Sequence, residues 1–160
     1  MRNAVLWLVL AVVLAVVNLS IAGKEKTLRE GQTMLLQLAP VDPRSLLQGD
    51  YMVLRYAIAG EAFAAAEQSG RNGQLVVVLD SNSVATFKRI DDNSPLADNE
   101  MRLLYRVRGS TLRLASDAYF FQEGTAERYS AARYGELKVD TDGGAVLVGL
   151  RDAAFESPGE

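Results

Sequence analysis

The sequence predicts a mainly β protein behind one N-terminal transmembrane helix. The β part is expected to be an antiparallel barrel or sandwich of about eight short strands, with one or two short helices. Three observations predict it. An uncharged apolar run opens the chain. Beyond it, apolar and polar residues alternate at period two over short stretches. Between those stretches stand Gly, Asn, Asp, Ser and Pro, the residues that turn a chain.

The apolar run is Ala4 to Ala22, interrupted only by Asn18 and Ser20. As a helix it would reach roughly 28 Å, close to the ~30 Å hydrocarbon core of a bilayer. Trp7 would then sit near an interface. Ser20-Ile21-Ala22 satisfies the small-x-small rule for signal cleavage. The run nevertheless exceeds the roughly 7–15 residues of a signal-peptide core, so an uncleaved single-pass anchor is expected. Arg2 precedes it, and Lys24, Lys26 and Arg29 follow. A literal count of cations would put the C-terminal side in the cytoplasm. The signal-like N-terminus puts it in the periplasm, and that orientation is adopted. The chain thus divides into a short tail 1–3, an anchor 4–22, a charged connector 23–31, a β domain 32–152 and a C-terminal tail 153–160.

Within the domain, Thr33 to Ala39 sets Met34, Leu36 and Leu38 on one face. Pro40 and Pro43 end that strand, because neither can donate to a ladder. Gly49 suits a tight turn into the next strand. There Met52, Leu54, Tyr56 and Ile58 point to the core, and Tyr51, Val53, Arg55 and Ala57 point away. Ala59 to Arg71 is Ala-rich and reads as a short helix. Leu75 to Leu79 has the continuous apolar pattern of a strand buried on both faces, and Ser81-Asn82-Ser83 turns it into Val84 to Ile90. Asp91 to Asn99 is loop. Met101, Leu103, Tyr105 and Val107 alternate with Arg102, Leu104, Arg106 and Arg108, and Gly109-Ser110 turns the chain into Thr111 to Ala115. Tyr119-Phe120-Phe121 reads as a further strand and Thr125 to Ala132 as a helical segment. Thr141-Asp142-Gly143-Gly144 is a hairpin turn between the strand at Leu137 and Val139 and a closing strand, Val146 to Leu150.

Composition excludes several functions. The 160 residues carry a formal net charge of −3 with scattered cations, which argues against a nucleic-acid partner. There is neither His nor Cys. Disulfides, thiolate nucleophiles, the commonest general base and the usual zinc, copper and haem ligands are therefore missing. Asp91-Asp92-Asn93 offers oxygens, but without the alternating spacing and later Glu of a calcium loop, so a solvated turn is expected. No cofactor and no metal are expected.

The most specific signal is Gly49-Asp50-Tyr51-Met52-Val53-Leu54-Arg55-Tyr56. It fits G-D-Y-x-x-L-x-Y at every fixed position, and by it the chain resembles the GDYXXLXY family of bacterial proteins. Pro40-Val41-Asp42-Pro43-Arg44, Phe121-Gln122-Glu123-Gly124, and Ala132-Arg133-Tyr134-Gly135 leading to Leu147-Val148-Gly149-Leu150 are also similar to it. The resemblance covers nearly all of the chain beyond the first helix. It implies a bacterial inner-membrane anchor with the domain in the periplasm, and it carries no activity over. A fainter resemblance is to bacterial signal peptidases of the Ser/Lys type. Pro43 to Asp50 is similar to their P-T-L-x-x-G-D run with one residue extra. Phe87-Lys88-Arg89-Ile90 is similar to the strand bearing their lysine base, and Ser130 to Gly135 to their S-x-D-S-R-x-x-G run without its Asp. The position of their serine is Pro40 here, and Ser45 is the nearest substitute.

Two candidate sites follow. Asp50, Arg55, Glu123 and Arg133 could join a carboxylate to a guanidinium as a binding floor or as a structural pin. Tyr51, Tyr56, Tyr105, Tyr119, Tyr129 and Tyr134 could present aromatic faces to a ligand or fill the core. The expected function is non-catalytic binding of another membrane or envelope protein. The alternative is a Ser/Lys hydrolase using Ser45 and Lys88, or an inactive relative of one. Asp50→Asn separates a structural from a functional signature, because it keeps the shape and removes the charge. A turn-holding Asp50 predicts a folded variant whose stability, read from denaturant melts, changes by about 1 kcal/mol or less. A normal melt with lost partner binding would contradict that role.

Overall fold

The computed structural model describes residues 2–39, 47–48 and 51–158. Helix α1 (Arg2–Glu30) leads through Gly31 into strand β1 (Gln32–Gln37). Then come β2 (Leu47–Gln48), β3 (Tyr51–Val53), helix α2 (Ala57–Ser69), β4 (Asn72–Leu79), β5 (Ala85–Ile90), β6 (Glu100–Arg108), β7 (Thr111–Leu114) and β8 (Ala118–Phe120). A single 3-10 turn, Ala126–Tyr129, precedes β9 (Tyr134–Val139) and β10 (Ala145–Arg151). The fold is mainly β, as the alternation predicts. The strands pair antiparallel in three sheets, ordered β1-β9-β10, β2-β3-β8 and β5-β4-β6-β7.

Single links join the sheets. The Leu35 amide donates to the Ser83 carbonyl at 2.8 Å and the Leu104 amide to that of Gly143 at 2.9 Å, whereas the Leu54 amide donates to the Asp117 carbonyl at 2.8 Å and extends the β3–β8 ladder. Leu38 and Tyr56 form an isolated antiparallel bridge. One hydrophobic core results, with Met34, Leu36, Leu54, Leu75, Val77, Leu103 and Leu137 at its centre. Helix α2 lays Ile58, Ala62 and Ala66 on it, a four-residue spacing that keeps one face inward.

Three local outcomes differ from the sequence pattern. The charged segment 23–31 is helical to Glu30, continuous with the apolar turns. Two i,i+4 pairs support it, Glu25 with Arg29 at 3.8 Å and Lys26 with Glu30 at 4.0 Å. The signature strand stops at Val53, and Tyr56 is already the N-cap of α2 with extended backbone. Met52, Leu54, Tyr56 and Ile58 are all buried even so, because Ile58 continues the inward face from the helix. The helical segment expected over Thr125 to Ala132 shrinks to one 3-10 turn. Thr125 Oγ1 and Ser130 Oγ donate to the nearby carbonyls of Gln122 and Glu127, each at 2.6 Å, and such local bonds compete with a longer helix.

The end of α1 is fastened to the domain. Thr27 is buried, and its Oγ1 donates to Asp140 Oδ2 at 3.0 Å. The other oxygen of Asp140 accepts the amides of Asp142 at 3.0 Å and Gly144 at 2.7 Å, which shapes the β9–β10 turn. Gly143 takes a φ of 79° there, the left-handed region that favours glycine.

Strand β4 is buried on both faces for two reasons. Leu75 and Val77 enter the core. Val76, on the opposite face, is flanked in register by Arg89 of β5 and Arg102 of β6 and lies beneath their stems. An ion-pair network roofs it. Arg102 Nε bonds Asp91 at 2.8 Å, Arg89 reaches Asp92 at 3.2 Å and Glu100 at 3.7 Å, and Lys88 Nζ bonds Glu100. The carboxylates of Asp91 and Glu100 are each only 4 % exposed. The hydrogen bond from Arg102 holds the Asp91 carboxyl below its usual range, and that from Lys88, aided by the Ala97 amide, does so for Glu100. Asp91 to Asn93 bends the chain, with the Asn93 amide donating to Asp91 at 3.2 Å, but the turn is not the solvated one expected, because the Asp91 carboxylate is buried against Arg102 and Arg89.

The sign of the pH dependence follows. Both groups are harder to protonate in the folded state, so their contribution is complete above their ordinary values of 3.8 and 4.5 and is lost as pH falls through the lowered ones. Glu100→Gln should lower the thermal midpoint at pH 7. Its difference from the unmodified chain should shrink below about pH 4. Melts followed by circular dichroism between neutral and strongly acid pH check this; a difference independent of pH contradicts it.

Candidate functional site

Tyr51 to Tyr56 lies where all three sheets meet. Tyr51 sits opposite Gln48 of β2 and Phe120 of β8. Its ring is 5.6 Å from that of Phe120, whose side of the sheet is open: Phe120 is 75 % exposed. Leu54 is buried and fixed by its amide bond to Asp117. The Arg55 carbonyl accepts the Ala39 amide at 2.7 Å, and the Arg55 side chain is exposed. Tyr56 is buried, and its Oη donates to the Ser116 carbonyl at 3.0 Å. Burial, with the Asp117 carboxylate nearby, pushes that hydroxyl well above the ordinary tyrosine range, so it stays a donor.

The Tyr56 ring lies against Gly135 of β9. A Cβ added at Gly135 would stand 3.0 Å from Tyr56 Cε1 and 3.4 Å from Leu147 Cδ1. The glycine in Ala132-Arg133-Tyr134-Gly135 is therefore the seat of the last signature tyrosine. Two stretches far apart in the chain are one contact.

Beside the signature opens a cavity of about 640 Å³, lined by Leu54, Arg55, Tyr56, Phe63, Arg113 and Asp117 among others. Its walls come from β3, α2 and β7. The floor is apolar, with Phe63, Leu112 and Leu114, and the rim is polar, with Arg113 paired to Asp117 at 2.7 Å. Such a cleft suits an apolar side chain or segment with a polar handle. Ser110 lies in the lining, and no lysine does among the described residues.

The polar set expected from sequence is not assembled among the described residues. Glu123 is exposed in the turn before Thr125, and Arg133 is exposed with its guanidinium on the Ala132 carbonyl at 3.0 Å. No ion pair joins Arg55, Glu123 and Arg133 among the described residues. Gly49 and Asp50 of the signature, and Ser45, lie outside them, as does the stretch Pro40 to Arg44. Lys88 is engaged with the buried Glu100 carboxylate. The tyrosines form no single face. Tyr56 and Tyr105 are core, Tyr119 and Tyr129 meet edge to face at 5.3 Å, and Tyr134 lies 5.1 Å from Phe155. Burial raises the Tyr119 hydroxyl, as does its bond with Tyr129.

Sequence reasoning missed Ser116, Asp117, Arg113 and Phe120 as parts of this region. Only Phe120 left a trace: it lies in the stretch read as a strand, where alternation sets it on the opposite face from Tyr119 and Phe121.

A family model described as GDYXXLXY protein matches residues 13–150. No curated protein matches the chain, and no solved structure matches it.

The Tyr56–Gly135 contact makes a quantitative prediction. Tyr56→Phe leaves the Ser116 carbonyl without its partner, at a cost of about 1–3 kcal/mol. Gly135→Ala overpacks the same place, also costing about 1–3 kcal/mol. In a Tyr56→Leu background the cost of Gly135→Ala should fall, because residues in contact do not add. Denaturant melts of the unmodified chain, Gly135→Ala, Tyr56→Leu and the double variant form the cycle, and strict additivity would contradict the contact.

Proposed function

The chain belongs to the GDYXXLXY family, and from that premise we propose a single-pass protein of the bacterial inner membrane. Its β domain stands in the periplasm and binds another membrane or envelope protein without catalysing a reaction. The observation that carries this reading is the joint between helix and domain. Helix α1 is long and apolar enough to cross a membrane, and its apolar turns are exposed throughout Val5 to Ile21. One residue, Gly31, separates it from β1, and Thr27 is bonded into the β9–β10 turn. Such a joint holds the domain at a set height and attitude over the bilayer. A tethered catalyst acting on a diffusing substrate needs no such constraint, whereas a surface addressed to a neighbour in the same membrane does.

Phe120 supports the reading as an exposed aromatic anchor beside the signature cleft. It lies on β8, an outer strand of its sheet. The want of His and Cys and the tie between Lys88 and Glu100 favour binding over hydrolysis.

Three measurements check the reading. A reporter active only in the periplasm, fused after Glu160, should give signal from full-length protein in the membrane fraction; a silent reporter reverses the orientation. Pull-down from detergent-solubilised membranes should recover one stoichiometric protein, and Phe120→Ala should reduce that recovery about tenfold with an unchanged melt. Labelling by a fluorophosphonate probe that Ser45→Ala abolishes would overturn the non-catalytic reading.

A further inference from the structure

A second cleft, of about 860 Å³, opens beside the end of the apolar helix and is lined by Lys24, Leu104, Arg106, Arg108, Arg113 and Asp117 among others. Its charge is anomalous. The whole chain is net negative at −3, yet here four cations gather about one carboxylate. Arg106 stands directly opposite Arg113 across the β6–β7 pair. Residues so placed share a face, and like charges there repel. Leu104 and Arg108 lie on that face too, two residues to either side of Arg106. Arg113 has Asp117 as its partner. Lys24, Arg106 and Arg108 make no ion pair among the described residues. A fold that sets two guanidinium groups opposite each other and leaves cations beside them uncompensated calls for an anion from outside.

The position says which anion. Lys24 lies two residues beyond Ala22, the end of the apolar run, or about 3 Å further along the helix axis. It also lines a smaller cleft of about 400 Å³ with Tyr119, Phe120 and Leu147. With Ala4 to Ala22 in the hydrocarbon, both clefts open at headgroup depth. Leu104 is 47 % exposed on the face of the first cleft, an apolar group suited to the glycerol and upper acyl region.

We propose that the cleft of Lys24, Arg106, Arg108 and Arg113 binds the phosphodiester of an anionic phospholipid in the leaflet on which the domain stands. Guanidinium groups take phosphate oxygens in a fork, and the lipid phosphate relieves the repulsion between Arg106 and Arg113. The inference rests on α1 spanning the bilayer, and it adds to protein binding a lipid contact that orients the domain.

The test uses the full chain in neutral detergent, titrated with phosphatidylglycerol, phosphatidylcholine or free glycerol 3-phosphate, with bound molecules counted by native mass spectrometry. Phosphatidylglycerol should be retained over phosphatidylcholine, and the double variant Arg106→Gln, Arg108→Gln should weaken that retention by about tenfold or more. Its melting temperature should not fall, since the change relieves like-charge repulsion. The control Lys26→Gln, Arg29→Gln, which removes cations outside the cleft, should retain the lipid. Equal retention of both lipids, undiminished retention by the Arg106, Arg108 variant, or glycerol 3-phosphate binding as tightly as the lipid would each overturn the proposal. Carbonate extraction separates the two failures. A chain that stays in the membrane without lipid preference overturns the cleft alone, and a chain released from it overturns the anchor and the cleft together.

Discussion

Tyr56 ties the sheets together, and much of the domain depends on the four connections it makes at one point. Its backbone bridges to Leu38 beyond β1, its hydroxyl reaches Ser116 between β7 and β8, its ring seats on Gly135 of β9, and it caps α2. The sheets are small, and β2-β3-β8 has strands of only two and three residues. Isolated strands of that length do not hold themselves. Leu54 and Tyr56 are thus the buried pegs of this stretch, and the Arg55 side chain between them is exposed.

Two populations of charge divide the surface into a structural and an available part. On the outer face of β5-β4-β6, Lys88, Arg89 and Arg102 are met by Asp91, Asp92 and Glu100, and the buried Val76 shows what that roof protects. On the opposite end of the same sheet, Arg106, Arg108 and Arg113 face one carboxylate, Asp117. Matched charge around a buried carboxylate is a tie that locks geometry. Unmatched charge beside a membrane helix is a surface waiting for a partner. The signature cleft shares Arg113 and Asp117 with the cationic one, so protein and lipid contacts would be made side by side.

Much of the fold was legible because burial at period two survives small errors in secondary structure. The inward row Met52, Leu54, Tyr56, Ile58 is right although the strand ends at Val53, since the helix that follows presents Ile58 to the same core. The continuous run Leu75 to Leu79 correctly announced two covered faces, but the cover over Val76 is charged and could not be told from a second apolar layer. Lys88 and Glu100 stand on β5 and β6 with β4 between them, so their bond depends on strand order, which no local pattern encodes. The same holds for the meeting of Tyr56 with Gly135. The extension of α1 to Glu30 was hidden by its charges, whose i,i+4 pairing supports the helix that they seemed to end.

The claim that one residue knits the domain is tested most directly by native-state hydrogen exchange on the full chain. The amides of Leu38, Ala39 and Leu54 donate to Arg133, Arg55 and Asp117 and so report the links around Tyr56. If Tyr56 joins them, the three should open with a common free energy, and Tyr56→Phe should lower all three by the same amount, about 1–3 kcal/mol. Loss of protection at Leu54 alone, with Leu38 and Ala39 unchanged, would contradict it.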